Sequence, residues 1–134
     1  MANALYDSAR EAFMTGAINM SANTIKAALV KSTYTPDLAA HNFYDDVSAE
    51  LIGTDQTLGS KTVTGGVFDA ADVTFTAVTG GSTVNYVLIY KDTGTPSTSN
   101  LIALIDTGTG LPLATNGGDV VITWDNGANK IFKL

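Results

Sequence analysis

Apolar and polar residues alternate along most of this chain with a period of two, and a helical period occurs only at its start. Residues 3–14 carry Leu5, Ala9, Ala12 and Phe13 at i, i+4, i+7 and i+8, the single stripe of a short amphipathic helix. Asn3 is the expected N-cap, Asp7 lies near the positive end of the helix dipole, and Gly16 is placed to take a left-handed C-cap. Residues 23–32 form the first strand, with Ile25, Ala27 and Leu29 alternating against Thr24, Lys26 and Ala28. Pro36 then breaks the chain and holds Thr35 extended. Residues 37–54 follow neither period. They allow a loop, a helical turn, or a short helix or strand from Val47 to Leu51.

After Gly59 the strand signal strengthens. Residues 61–64 read as a strand, Gly65 and Gly66 break it, and Val67 and Phe68 resume it. Val73, Phe75 and Ala77 alternate with Thr74 and Thr76, a half-buried strand with a threonine outer face. Gly80, Gly81 and Ser82 have hairpin-turn chemistry. Residues 84–90 and 101–105 are almost wholly apolar, which marks strands covered on both faces. Between them residues 91–100 form a polar loop, and residues 107–118 make a turn-rich connection. Val120, Ile122 and Trp124 alternate again, residues 125–129 turn the chain as an Asn-Gly hairpin, and residues 131–134 return as a strand clamped in the sheet. This layout predicts a mainly β fold, an antiparallel β-sandwich for which a jelly roll is one form. The short N-terminal helix plugs one end. The whole chain, 1–134, reads as one domain, with a helix and arm over 1–16 and the sandwich over 23–134.

Composition narrows the function. The net charge is −6 and the pI about 4.3, with acidic residues spread along the chain. A nucleic-acid partner, which needs a basic face, is therefore not expected. With no Cys there is neither a disulfide framework nor a thiolate metal site. No signal segment and no apolar run of membrane-spanning length is visible, so no membrane partner is expected. Charged residues make up only 15% of the chain, well under the usual ~25%. A surface kept polar by Thr, Ser, Asn and Gly suits packing into an assembly, because few charges need desolvating.

The candidate chemistry is thin. His41 is the only histidine and has no nucleophile elbow to serve. Asp45 and Asp46, with Glu50 a turn later, form the densest acidic cluster. Asp69 and Asp72 precede a strand, where Asp commonly bonds its own backbone. Calcium is the sharper alternative for both acidic segments. Residues 125–129 lack the register and distal Glu of a calcium loop. Neither Gly108 with Gly110 nor Gly117 with Gly118 belongs to a phosphate loop. No catalytic residue, cofactor or metal ligand is therefore assigned, and the chain is not read as an enzyme. Tyr86 and Tyr90 share one strand face and read as packing residues. Tyr34, Phe43 and Tyr44 lie outside the strand patterns and are the expected partner contacts.

Residues 1–19 (MANALYDSAREAFMTGAIN), 24–30 (TIKAALV), 90–94 (YKDTG), 101–106 (LIALID) and 124–134 (WDNGANKIFKL) together resemble a family of small virion structural proteins of tailed bacteriophages. The resemblance spans nearly the whole chain and brings no catalytic residues with it. It implies a virion structural protein, and the low charge, the threonine-rich sandwich and the absence of Cys make a capsid decoration (cement) protein the first reading. Such a protein binds the major capsid protein or another virion protein, forms a trimer or ring, and resides in the virion after synthesis in the host cytoplasm. A tail or baseplate accessory protein and a host-glycan-binding module are the alternatives.

Overall fold

The computed structural model describes residues 3–108, 110–128 and 130–134. Asn129, part of the turn expected over 125–129, lies outside them. The described elements run β1 (Ala4–Leu5), α1 (Asp7–Thr15), β2 (Ile25–Lys31), two 3-10 turns (Tyr44–Asp46 and Ser48–Glu50), β3 (Leu51–Thr57), β4 (Thr62–Thr64), β5 (Val67–Asp69), β6 (Val73–Phe75), β7 (Thr83–Lys91), β8 (Leu101–Ile105), β9 (Leu113–Ala114), β10 (Val120–Ile122) and β11 (Phe132–Lys133). The fold is mainly β, antiparallel and sandwich-like, with one short N-terminal helix.

The apolar runs occupy the middle of the main sheet, whose order is β1-β8-β7-β2-β3, with β9 added against the start of β7. Every residue of β8 is buried, as are Val87, Leu88, Ile89 and Tyr90 of β7. β2, which alternates in sequence, is buried on both faces from Ala27 to Val30. It sits between β7 and β3, and the alanines give it little side-chain bulk on either face. Each fully buried Leu or Ile here contributes roughly 1.5–3 kcal/mol.

Two small sheets complete the sandwich. β6 pairs with β10, and β4, β5 and β11 form a three-stranded sheet in the order β11-β5-β4. Phe75, Ile122, Phe68 and Phe132 from these sheets join the main-sheet residues in one continuous core. Trp124 is buried just beyond β10. Its indole N–H donates to the carbonyl of Ala71 at 3.0 Å, and its backbone N–H donates to Oδ1 of Asp72 at 3.0 Å. Asp72 thus serves the segment just beyond β10, 52 residues away, rather than its own turn.

Three local expectations change. The helix begins at Asp7 instead of residue 3, because the chain before it is drawn into the sheet as β1. Oδ1 of Asn3 accepts from the backbone N–H of Asp106 at 2.7 Å, its Nδ2 donates to Thr107, and Tyr6 N–H donates to Ile102 O at 3.0 Å. Asn3 therefore fastens β1 to the end of β8, and the N-cap position falls to Tyr6. Gly16 does close the helix, at φ 78° with its N–H on the carbonyls of Ala12 and Phe13. The segment 80–82 does not join a hairpin, since β6 pairs with β10 and β7 lies in the main sheet. That segment is held instead by Thr115, which receives Gly81 N–H on its carbonyl and Ser82 N–H on its hydroxyl. Nor do Asn126 and Gly127 close a hairpin: β11 crosses to β5 while β10 stays with β6.

Candidate functional site

The loop over residues 32–50 carries all three expected contact aromatics, and backbone bonds fix it in place. Tyr44 N–H donates to Ser99 O at 2.9 Å, Leu101 N–H donates to Asn42 O at 3.1 Å, and Phe43 forms an isolated antiparallel bridge with Asn100. The loop is stitched to the 92–100 loop and to the start of β8, so two long polar segments act as one platform. Asp46 tightens the corner from within. Its Oδ2 accepts the backbone N–H groups of Asn42 at 2.9 Å and Phe43 at 3.1 Å, and these bonds hold its carboxyl below the usual carboxylate range.

Two hydroxyl clusters lie beneath this platform. In the first, Tyr44 from the 3-10 turn and Tyr90 from β7 donate to the same oxygen, Oδ2 of Asp55 on β3, at 2.8 and 2.6 Å. Their rings lie 4.8 Å apart at 48°. Burial first, and then the bond to Asp55, pushes both phenols above the usual tyrosine range. A bulge in β3 lies immediately beside Asp55. Ala27 pairs with Gln56 and Leu29 with Ile52, so two steps on β2 oppose four on β3. Gly53, at φ 73°, supplies the left-handed residue within it. Lys26 and Asp92 border the cluster with an ion pair of 3.0 Å, and Asp92 also accepts Gly94 N–H at 2.9 Å. The Gly94 N–H and then Lys26 hold the Asp92 carboxyl low. Together these residues and Pro96 line an open recess of about 240 Å³.

The second cluster is a chain of three groups. Tyr6 OH and Tyr34 OH lie 2.9 Å apart, and Tyr34 OH lies 2.8 Å from Nδ1 of His41. Tyr34 packs against His41 with ring centroids at 5.5 Å and meets Tyr86 edge-on at 6.5 Å. Burial raises both Tyr6 and Tyr34, and the bond to Tyr34 raises Tyr6 further. This chain ties the start of α1 to the loop. In it His41 is bonded to a phenol that burial keeps protonated, so the hydroxyl beside the imidazole is held away from its nucleophilic form.

The sequence-selected residues are therefore divided. Tyr34 is buried at 6% exposure, with its hydroxyl committed to its neighbours, so it supports the platform from below. Phe43 and Tyr44 are half-buried and form part of the platform itself. The acidic cluster does not converge. Asp46 accepts the backbone N–H groups of Asn42 and Phe43, while Glu50 accepts the hydroxyl of Thr33. Among the described residues no group of three or more His, Asp or Glu side chains is placed to hold a metal. No helix there is long and apolar enough to cross a membrane.

Sequence reasoning missed Asp55 and one apolar surface. A groove of about 330 Å³ is lined by Phe13, Ile18, Met20, Val63 and Leu134, and Val63 and Leu134 are 53% and 62% exposed at its rim. Its signal in the sequence is the uncharged, β-branched run Thr62, Val63, Thr64, in which all three residues are exposed. The chain matches no protein-family model and no curated protein.

Proposed function

We propose that this chain is a virion structural protein of a tailed bacteriophage, a capsid decoration (cement) protein that binds and stabilises the major capsid shell as a trimer or ring. The observation that carries the reading is the stitched platform of the 32–50 and 92–100 loops on a rigid antiparallel sheet. Its polar side chains are spent on internal bonds: Tyr44 and Tyr90 on Asp55, Tyr34 on Tyr6 and His41, and Asp46 on its own corner. Phe43 and Tyr44 on that platform supply the apolar contact. A surface of this kind meets a partner without ordering new loops, which keeps the entropic cost of docking low. Modest affinity per copy is sufficient when many copies act across one shell. Low charge and the family resemblance support the same reading.

The test is dye-detected melting of purified capsids with and without the protein. Bound protein raises the capsid transition in a saturable way, and Phe43→Asp removes the effect while leaving the isolated protein folded. An unchanged capsid transition at saturating protein rejects the cement reading.

One observation favours a second reading, a host-glycan-binding module: the recess bordered by Tyr44, Tyr90, Asp55, Lys26 and Asp92 combines ring faces with charged hydrogen-bonding groups. A glycan array separates the two. Saturable binding that Lys26→Met abolishes supports the module, and an empty array leaves the capsid reading alone.

A further inference from the structure

The small sheet ends in an edge that is built to pair. β4 is joined to β5 on one side only, and Thr62, Val63 and Thr64 are all exposed. The hairpin between them closes through Gly65 and Gly66 at φ 62° and 78°, a two-residue turn with both central residues left-handed. Such a turn makes Thr64 and Val67 a hydrogen-bonded pair. The alternation of an antiparallel ladder then makes Val63 and Phe68 a non-hydrogen-bonded pair. The backbone N–H and C=O of Val63 consequently point away from β5, toward the free edge. No described strand pairs with β4 on that side.

β4 is short, but it has no lysine guard. Lysine is the common edge guard, but Nζ of Lys61, the residue just before β4, is bonded to the carbonyl of Asn23 and so is drawn off the strand. The side chain of Val63 extends a row that is otherwise covered. Phe132, Phe68 and Val63 lie side by side on one face of the sheet, the first two buried and Val63 half exposed.

We propose that β4 is a homotypic interface, in which the edge strands of two copies pair antiparallel about a twofold axis through Val63. Four observations select a second copy as the occupant. First, the strand is its own complement: about Val63, Thr62 of one copy faces Thr64 of the other, and β-branched pairs of this kind are favourable across strands. Second, Lys61 faces Gly65, so no like charges meet in the ladder. Third, Lys61, Lys130 and Lys133 lie on or beside this sheet together with Asp69 and Asp72, so the region carries both signs and two copies do not meet here as uniformly acidic faces. Fourth, pairing places the Val63 side chains together and continues the Phe132–Phe68–Val63 row across the axis, beside the groove and Leu134.

The contact is small. A stable dimer buries about 800 Å² on each partner, and a three-residue edge with Val63 and Leu134 offers less. Pairing is therefore weak and concentration-dependent in solution, and becomes effective where an assembly holds two copies close. The interface is independent of which partner the loop platform binds.

Sedimentation of the full chain from about 10 μM to about 1 mM, the span of weak association, tests this. Away from the capsid, where the trimer or ring is not templated, the weight-average mass is expected to rise from the 13.9 kDa of the monomer toward twice that value. Val63→Pro removes the outward N–H without touching the hairpin ladder and is expected to stay monomeric. Val63→Lys and Val63→Glu are each expected to stay monomeric, and their equimolar mixture to associate, because the proposed register sets residue 63 against residue 63. Far-ultraviolet dichroism and Trp124 emission confirm that each variant is folded. A mass that stays monomeric at the highest concentration overturns the proposal, as does a dimer that Val63→Pro leaves intact. A Lys and Glu mixture that fails to associate overturns the twofold register.

Discussion

The hydroxyl of Tyr90 lies 2.6 Å from Oδ2 of Asp55, a carboxylate 35 residues earlier in the chain and across β2 from it. Tyr44 reaches the same oxygen from the loop above. One carboxylate thus fastens the platform to the sheet. Asp55→Ala leaves two part-buried hydroxyls without their shared acceptor and is expected to cost about 2–3 kcal/mol. Calorimetry should then show the melting temperature falling by roughly 5–15 °C. Asp55→Asn keeps a carbonyl acceptor and should lose clearly less. If alanine and asparagine melt together near the wild type, the carboxylate does not hold the loop.

Tyr6, Tyr34, Tyr44 and Tyr90 all carry phenols raised by burial, which favours the neutral form. Below pH ~10 these groups are protonated in both folded and unfolded chains, and their contribution to stability is complete. Above that pH the unfolded chain ionises and the folded chain does not, so stability is lost as pH rises toward the folded values. Tyrosinate absorbance during alkaline titration should therefore rise steeply and together with the loss of far-ultraviolet dichroism. Gradual ionisation of four tyrosines with the dichroism intact would contradict the buried hydroxyl clusters.

Gly53 holds φ 73° in the β3 bulge, and an added Cβ would meet Val78 only at an ordinary 3.6 Å. The cost of Gly53→Ala is therefore conformational rather than steric, about 1–2 kcal/mol. Gly53→Asn should cost less, because Asn tolerates the left-handed region. Denaturant midpoints at constant slope check the order Gly, Asn, Ala. An alanine variant as stable as the wild type would show that the bulge does not depend on a left-handed residue.

The parts legible in the sequence were those where covering on both faces leaves a continuous apolar run, as in β7 and β8. The parts that were not legible depend on partners far along the chain. The helix start was misplaced because Asn3 looks like a cap locally, while its actual partner, Asp106, lies 103 residues away. Gly80 to Ser82 and Asn126-Gly127 announce that the chain reverses, but turn chemistry does not say which sheet the next strand joins. Tyr34, Phe43 and Tyr44 stand out in the sequence as candidate contacts because they break the strand patterns. The fate of their side chains was hidden because Asp55, Tyr6 and Asn100 meet them only through the fold. Asp55 left a faint mark, a lone carboxylate two residues after a glycine in β3.

Ala4 of β1 sits opposite Leu104 of β8, one hundred residues further on. During synthesis at about 5–20 residues per second, β1 is made roughly 5–20 s before its partner. Leu5 and Tyr6, both buried in the finished sheet, stay open to solvent through that interval. The sheet cannot close on this side until β8 has been made, so nascent-chain protease protection at these residues should come late and abruptly.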